Sequence, residues 1–379
     1  MADQGKLLLK SQKQNDLEVV LAKRLALVQQ RLKENRLDAF IITAAPNRYY
    51  ISGWLGDFES GWILITLDKV YILTDFRYTE HAISAAKGFE VLEYESSLPT
   101  FFGDLSKKLK FTRVGFESHN LSVFNLMRLK KFCLHLKLIP VSHLVEESRL
   151  VKDTWEVDQI KKAVEIADKA FEHILNFVKT GMAEKEISWE MEKFMREQGA
   201  EKMAWDPFIV ATGPHASMAH WAAGDTKIKK GDMVLVDYGC VVNGYHSDTS
   251  RVFFVGKPSE EQKKIYNLVF EAQKLGISLI EQGRSAYLVD QKVRSLLETK
   301  TKHFYRHSLG HGVGLEVHEL PRLSVNAKNK LQEGQVLTVE PGIYIPGWGG
   351  VRLEDIVVVT KNGPQILTEA PKDIDFLIV

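Results

Sequence analysis

The chain has 379 residues, with 50 basic against 49 acidic side chains and a formal net charge of +1. That length accommodates two domains with real cores, and 45% hydrophobic with 26% charged residues is ordinary soluble composition. The charge balance exerts no net pull on nucleic acid or an anionic membrane, so neither is expected as a partner.

The amino terminus, MADQGKLLLKSQKQ, has a hydrophobic run of only three leucines, too short for an ordinary signal peptide or a membrane span. Apolar spacing over residues 16–35 predicts a helix, followed by strands at AFIIT, GWILIT and KVYILTD and a helix-like TEHAISAAK. A strand at FEVLEY, a helix over 101–109, a strand at RVGFES, a helix over 123–134 and a strand at LIPVS follow. Strands alternating with helices imply an α/β layer domain. The basic cluster Arg128, Lys130 and Lys131 reads as a solvated helix face.

The domain boundary falls near residue 150, dividing the chain into 1–150 and 151–379. There Asp153 and Glu156 form a capping box that opens a long helix, and Gly181 is expected to end it. Its apolar stripe of Val157, Ile160, Val164, Phe171, Ile174, Leu175 and Val178 is core packing rather than a cofactor box. The two cysteines, Cys133 and Cys240, form neither a disulfide framework nor a CxxC pair, and free thiols imply a cytoplasmic chain.

Chemistry concentrates in the carboxy-terminal half. The segment VLVDYGCVVNGYHSDTSRVFFV alternates through β-formers around Asn243-Gly244, a strong two-residue hairpin signal. Facing pairs are symmetric about such a turn, so Val242 faces Tyr245, Gly239 faces Asp248 and Asp237 faces Ser250. Asp237 and Asp248 are then diagonal neighbours on one face, about 7–8 Å apart, with Gly239 leaving room between them. Two carboxylates converging on bare strand surface repel unless a cation separates them. His246 shares that face and reads as a rim residue, whereas Cys240 points the other way.

Glu340 closes the extended run VLTVEPGIY, where Pro341 and Gly342 fit a type II turn and place the glutamate at a strand end. In GGVRLEDIVVVT a period of two puts Arg352, Glu354 and Ile356 on one face. His311 lies between Gly310 and Gly312, whose missing side chains permit close approach to the ring; with Ser at 308 this is no HExxH helix. Four carboxylates and one imidazole suit Mn, Co or Fe at least as well as Zn, and can hold two ions that activate water and polarise a carbonyl. Taken singly, any of these acids is usually a solvated side chain, so the joint pattern carries the inference.

The runs VDYG with SDTSR, SLGHGVGLEVHELP, LTVEPGIY and GVRLEDIVVVT, in this order, resemble the pita-bread metallopeptidases, and among them the proline-specific aminopeptidase P and prolidase. The resemblance implies an α/β creatinase-like amino-terminal domain, which often gates the catalytic pocket, and an α+β pita-bread catalytic domain. It implies that Asp237 binds one metal ion, that Asp248 and Glu354 bridge both, and that His311 and Glu340 complete the other ion's shell. The two divalent ions would be Mn, with Co, Fe or Zn as alternatives.

In the same comparison Glu340 also serves as general base or proton shuttle, His318 contacts the scissile peptide, and His220 positions substrate and stabilises the tetrahedral intermediate. His307 and Arg352 line the pocket for the residue after the cleaved bond, where proline would sit. Ser250 stands where the family usually has Thr, and Met218-Ala219 precede His220 where a proline is common. The implied substrate is a proline-containing peptide, taken in the dipeptidase or the aminopeptidase mode, and the expected assembly is a homodimer. A catalytically inactive pseudo-peptidase acting as a binding module is the alternative, and a metal-free creatinase-like amidinohydrolase a third. Both should lack several of these five ligand positions.

Overall fold

The computed structural model describes residues 2–56 and 60–379, with side chains from residue 17 onward. Two compact units divide the chain, Met1–Arg149 and Leu150–Val379. In the first, the order is α1 (Ala2–Glu34), β1 (Ala39–Ile42), α2 (Ala45–Ser52), β2 (Trp62–Thr66), β3 (Val70–Thr74), α3 (Thr79–Ala85), β4 (Glu90–Glu93), α4 (Leu98–Lys108), β5 (Arg113–Glu117), α5 (Val123–Phe132), β6 (Lys137–Val141) and α6 (Glu146–Arg149). The strands form one mixed sheet in the order β4-β3-β2-β1-β5-β6, antiparallel only at β1/β2 and β2/β3. Strands β1 to β3 are buried at every position, which is why they read as unbroken apolar runs.

The first helix begins at Ala2, well before the predicted residue 16, and α2 has no counterpart in the periodicity. Its segment, APNRYYIS, looks like a polar loop because the group that starts it is distant. Glu117, at the end of β5, accepts hydrogen bonds from Thr43 N (2.6 Å), Ala44 N (2.7 Å) and Asn47 Nδ2 (2.7 Å). A carboxylate more than seventy residues away in sequence thus satisfies donors at the start of the helix, a role ordinarily filled by a local capping residue.

The second unit continues with α7 (Thr154–Phe177), α8 (Glu184–Glu197), β7 (Lys202–Met203), β8 (Ile209–Thr212), β9 (Met233–Tyr238), β10 (Cys240–Val242), β11 (Tyr245–His246) and β12 (Thr249–Phe254). Helices α9 (Glu260–Ser278) and α10 (Ala286–Glu298) precede β13 (Gly310–Gly312), β14 (Glu319–Leu323), β15 (Val336–Val339), β16 (Gly342–Ile345), β17 (Gly349–Arg352), β18 (Asp355–Thr360) and β19 (Gly363–Ile366). The strands make antiparallel sheets ordered β12-β9-β8, β11-β10-β7, β14-β13-β15-β18-β19 and β16-β17. One hydrophobic core, with Phe171, Met191, Tyr266 and Val293 from the four helices, packs against their inner faces.

Asp153 and Glu156 do form the capping box of α7, with Glu156 N donating to Asp153 Oδ1 at 2.9 Å and Asp153 N to Glu156 Oε2 at 3.1 Å. The helix stops at Phe177, earlier than Gly181, because Val178 is extended; Gly181 instead takes a left-handed φ of 96° in the following turn. Asn243 and Gly244 both have positive φ, 48° and 78°, the signature of a two-residue type I′ hairpin. The pairs Val242 with Tyr245 and Asp237 with Ser250 follow from it.

Arg251 of β12 ties this hairpin to the carboxy-terminal strands from a fully buried position. Its guanidinium donates to Asp355 Oδ1 (2.7 Å), to Glu354 O (2.6 Å), to Ser250 O (3.0 Å) and to Ala370 O (3.1 Å). Removing one partner of a buried pair strands the other charge in a medium that solvates it poorly. Arg251→Met is therefore expected to destabilise the protein by about 3–5 kcal/mol, measured as a fall in the urea midpoint at constant slope.

Candidate active site

The hairpin delivers the first three groups. Asp237 on β9 stands opposite Ser250 on β12, and Asp248 precedes that strand. A Cβ at Gly239 would lie 2.1 Å from Ser247 O, so glycine serves the approach of the two backbones rather than space between the aspartates. His246 is buried with its Nδ1 3.1 Å from Gly314 O, and is no rim residue.

The run carrying Arg352 and Glu354 is not one strand. Arg352 ends β17, which pairs with β16, while β18 begins at Asp355 and joins β15 and β19. Glu354 lies in the two-residue crossing, where its N–H donates to Ser250 O at 3.1 Å. Similarly Glu340 sits where the chain passes from β15 to β16, and Gly342 belongs to the strand without the positive φ of a type II turn. The glycines beside His311 admit neighbouring backbone: a Cβ at Gly310 would lie 1.9 Å from Thr338 O, and one at Gly312 2.2 Å from Leu320 O. Alternation thus misplaces Arg352 and Glu354 on one strand, the type II turn expected after Glu340 is not formed, and the glycines beside His311 make room for backbone rather than for the ring.

The side chains nevertheless converge. Ser250 Oγ lies 3.1 Å from Asp237 Oδ1 and 2.9 Å from Glu354 Oε2, and accepts from Arg352 Nε at 2.7 Å. One hydroxyl hydrogen cannot serve two carboxylates at once. Arg352 Nη2 donates to Asp237 Oδ2 at 2.6 Å, and its Nη1 donates to the Tyr344 hydroxyl at 2.9 Å. His311 Nε2 lies 3.5 Å from both Asp248 Oδ2 and Glu340 Oε1. Three overlapping groups each have ligand atoms within 4.8 Å of one another: Asp237, Asp248 and Glu354; His311, Glu340 and Glu354; and Asp248, His311 and His318.

Burial, followed by the fields of Glu354, Asp237 and Glu340, pushes the Asp248 carboxyl well above its ordinary range. Glu340 is raised in the same way by burial and then by Glu354, and Glu354 is pushed up to about 8 by burial and by Asp237. Burial and then the neighbouring His318 bring His311 down to about 3, so its ring is neutral and free to ligate. Glu354 Oε1 is buried with no hydrogen-bond partner among the described residues. A cluster this rich in buried oxygen, with a neutral imidazole, fits divalent cations, which supply the charge that makes all these carboxylates stable together.

These groups open into a cavity of about 630 Å³ whose wall includes His220, His307, His318 and Arg322. His318 stacks edge-on against His311, ring centres 4.3 Å apart. Burial and then Arg352 hold His307 down to about 4, and its Nε2 lies 3.0 Å from the Tyr344 hydroxyl. His220 is exposed on the loop after β8, outside the three groups above.

Glu184 organises that loop, and nothing in the local pattern marks it. Fully buried at the start of α8, it accepts from Thr212 N (2.9 Å) and Gly224 N (3.2 Å), holds His215 Nδ1 at 2.9 Å and accepts from Trp221 Nε1 at 2.8 Å. His215 stacks on Trp221 with ring centres 3.8 Å apart. A histidine and a tryptophan five and one residues from His220 were the available signal, but their shared partner lies 31 and 37 residues upstream of them.

Residues 158–361 match the metallopeptidase family M24, and residues 24–151 match the creatinase/prolidase N-terminal domain. The chain belongs to metallopeptidase family M24. A Xaa-Pro dipeptidase of Pyrococcus horikoshii is 36% identical over 362 residues, covering 90% of this chain and 96% of that one. The structure of a Xaa-Pro dipeptidase from Bacillus anthracis superposes with a TM-score of 0.90 at 37% identity, covering 95% of this chain and all of that one (100%). An X-Pro aminopeptidase from Thermotoga maritima does so with 0.84 at 35% identity, over 90% and 98% of the two chains. As an M24 member the chain is a hydrolase, with the expected creatinase-like amino-terminal domain and pita-bread catalytic domain, and its family implies divalent metal cofactors.

Two outcomes are expected. Glu184→Gln turns an amide N–H₂ toward one pair of donors, which should cost about 1–3 kcal/mol and speed hydrogen exchange across residues 212–224. Between pH 4.5 and about 8 the folded, cation-free chain keeps a proton on Glu354 that the unfolded chain has released, so its stability falls as pH rises through that window. The Tm of chelator-treated protein should accordingly drop through that window, and added Mn²⁺ should restore it most at the alkaline end. A Tm that climbs instead would contradict the assignment.

Proposed function

We propose that this M24 hydrolase is a dinuclear metallopeptidase that cleaves Xaa-Pro peptide bonds. The observation that carries the reading is the convergence of Asp237, Asp248, His311, Glu340 and Glu354 on one cavity, in a chain whose relatives include a Xaa-Pro dipeptidase and an X-Pro aminopeptidase. Asp237 with Asp248 and Glu354 would hold one ion, and His311 and Glu340 with the same two shared carboxylates the other. Two bound divalent ions, manganese being favoured by the oxygen-rich set, supply the positive charge that activates water and polarises the scissile carbonyl.

The protein's own groups would divide the remaining work. Glu340, a carboxylate on the cavity wall beside the proposed ions, is suited to hold the proton taken from the attacking water. Proline leaves as a secondary amine that must gain a proton, and the imidazoles of His318 and His220 on the cavity wall are donors of the right type. His318 would contact the scissile peptide, and His220 would steady the charge that develops there. His307 and Arg352, both tied to the Tyr344 hydroxyl, would wall the pocket that receives proline.

In this reading residues 1–150 form the creatinase-like domain and 151–379 the catalytic one. Two buried free cysteines suit a cytoplasmic chain, and no helix among the described residues is long and apolar enough to cross a membrane. A homodimer, the commonest closed assembly, is the expected state and is read by light scattering.

Chelation should abolish hydrolysis of Xaa-Pro peptides, and Mn²⁺ should restore it. Asp248→Ala should cost more than the roughly 100-fold expected for loss of a group that merely supports a ligand. Unchanged turnover after chelation, or no Xaa-Pro cleavage at all, would overturn the reading and leave a binding module.

A further inference from the structure

A second cavity, of about 410 Å³, adjoins the first and shares Ala219, His220 and His307 with it. Beyond that common wall it is lined by Lys302, His303, Arg306 and Tyr344, and by no carboxylate among the described residues. Lys302 and Arg306 are exposed. Neither takes part in an ion pair or side-chain hydrogen bond among the described residues, unlike most of the charged groups around the first cavity.

The wall that carries these cations is held from two sides. Tyr305 N donates to Gly342 O at 2.8 Å and Tyr344 N donates to His303 O at 2.9 Å, which fixes the segment along β16. From α10, Arg294 donates through Nη1 to Tyr305 O at 3.0 Å while its Nε is held by Asp290 Oδ2 at 2.7 Å. The positive strip is therefore presented on an ordered backbone, so little further ordering is needed when it meets an anion.

We propose that this cavity is the subsite for the residue that follows proline, and that Lys302 and Arg306 engage the free carboxylate of a tripeptide there. The inference rests on the Xaa-Pro reading and deepens it, because it selects peptides extending past proline as substrates. With proline against the wall made by His307 and Arg352, the next residue advances about 3.5 Å along the chain, past the shared histidines and into the cationic pocket. An arginine fork and a lysine ammonium suit a terminal carboxylate, whereas an amidated terminus offers them no charge.

The test compares kcat/KM for Ala-Pro, Ala-Pro-Ala and Ala-Pro-Ala-amide in the metal-loaded full chain and in the Lys302→Ala/Arg306→Ala variant. Exposed charge pairs are each worth roughly 2- to 5-fold, so the wild type should favour the free acid over the amide by about 4- to 25-fold, the product of two such factors. The double variant should bring that ratio close to one, and added salt should narrow it in the wild type. An acid preference that survives the double substitution would overturn the proposal. Cleavage of Ala-Pro with no cleavage of either tripeptide would overturn it while leaving the Xaa-Pro reading intact, and failure on all three peptides would remove both.

Discussion

Mutual repulsion among buried carboxylates is the constraint around which the catalytic unit is built. Asp248, Glu340 and Glu354 lie close together out of water, with Asp237 beside them, and their raised pKa values record how poorly the protein alone accommodates the charge. The Arg352 guanidinium reaches into the cluster, and it is committed to Asp237, Ser250 and Tyr344. A set of acids arranged this way is stable only with added positive charge or added protons. That requirement ties the electrostatics of the fold to its chemistry as a metallopeptidase.

Such a cluster needs stiff support, and the support is mostly backbone. Arg251 fastens the carbonyls of Ser250 and Glu354 beneath the site, so β12 and the crossing before β18 cannot drift apart. Glycines at 239, 310 and 312 let neighbouring strands approach within distances that any side chain would block. Glu184 performs the equivalent service for the loop with His220, gathering four donors onto one buried carboxylate. Reactive groups on strand ends and short crossings, held by buried polar partners, are positioned more tightly than loop residues alone would be.

The substrate side is organised by a smaller relay. Tyr344 links His307 to Arg352, so the two residues at the proposed proline pocket share one hydroxyl as a hinge point. Burial holds His307 neutral, which keeps a second positive charge away from Arg352. The exposed cations of the adjoining cavity begin only beyond this relay. Polarity thus changes in steps along the path, from the anionic ligand cluster through a neutral imidazole to an open cationic strip.

Local grammar determined a good deal. The Asn243-Gly244 turn sets the hairpin register, because facing pairs are symmetric about a two-residue loop, and so Asp237 meets Ser250. Apolar runs and the Asp153/Glu156 box likewise mark the α/β layer and the start of α7 without reference to anything distant. Motif order alone carried the family resemblance. Tertiary structure decided the rest, because the deciding partner lay far along the chain. Glu117 starts a helix that reads as a loop, Glu184 fastens the His220 loop, and Glu354 meets Ser250 only because two strands of different sheets break between Arg352 and Asp355. Periodicity reports which face a residue occupies within its own element, but a buried carboxylate finds its donors across elements, and that pairing exists only once the layers have packed.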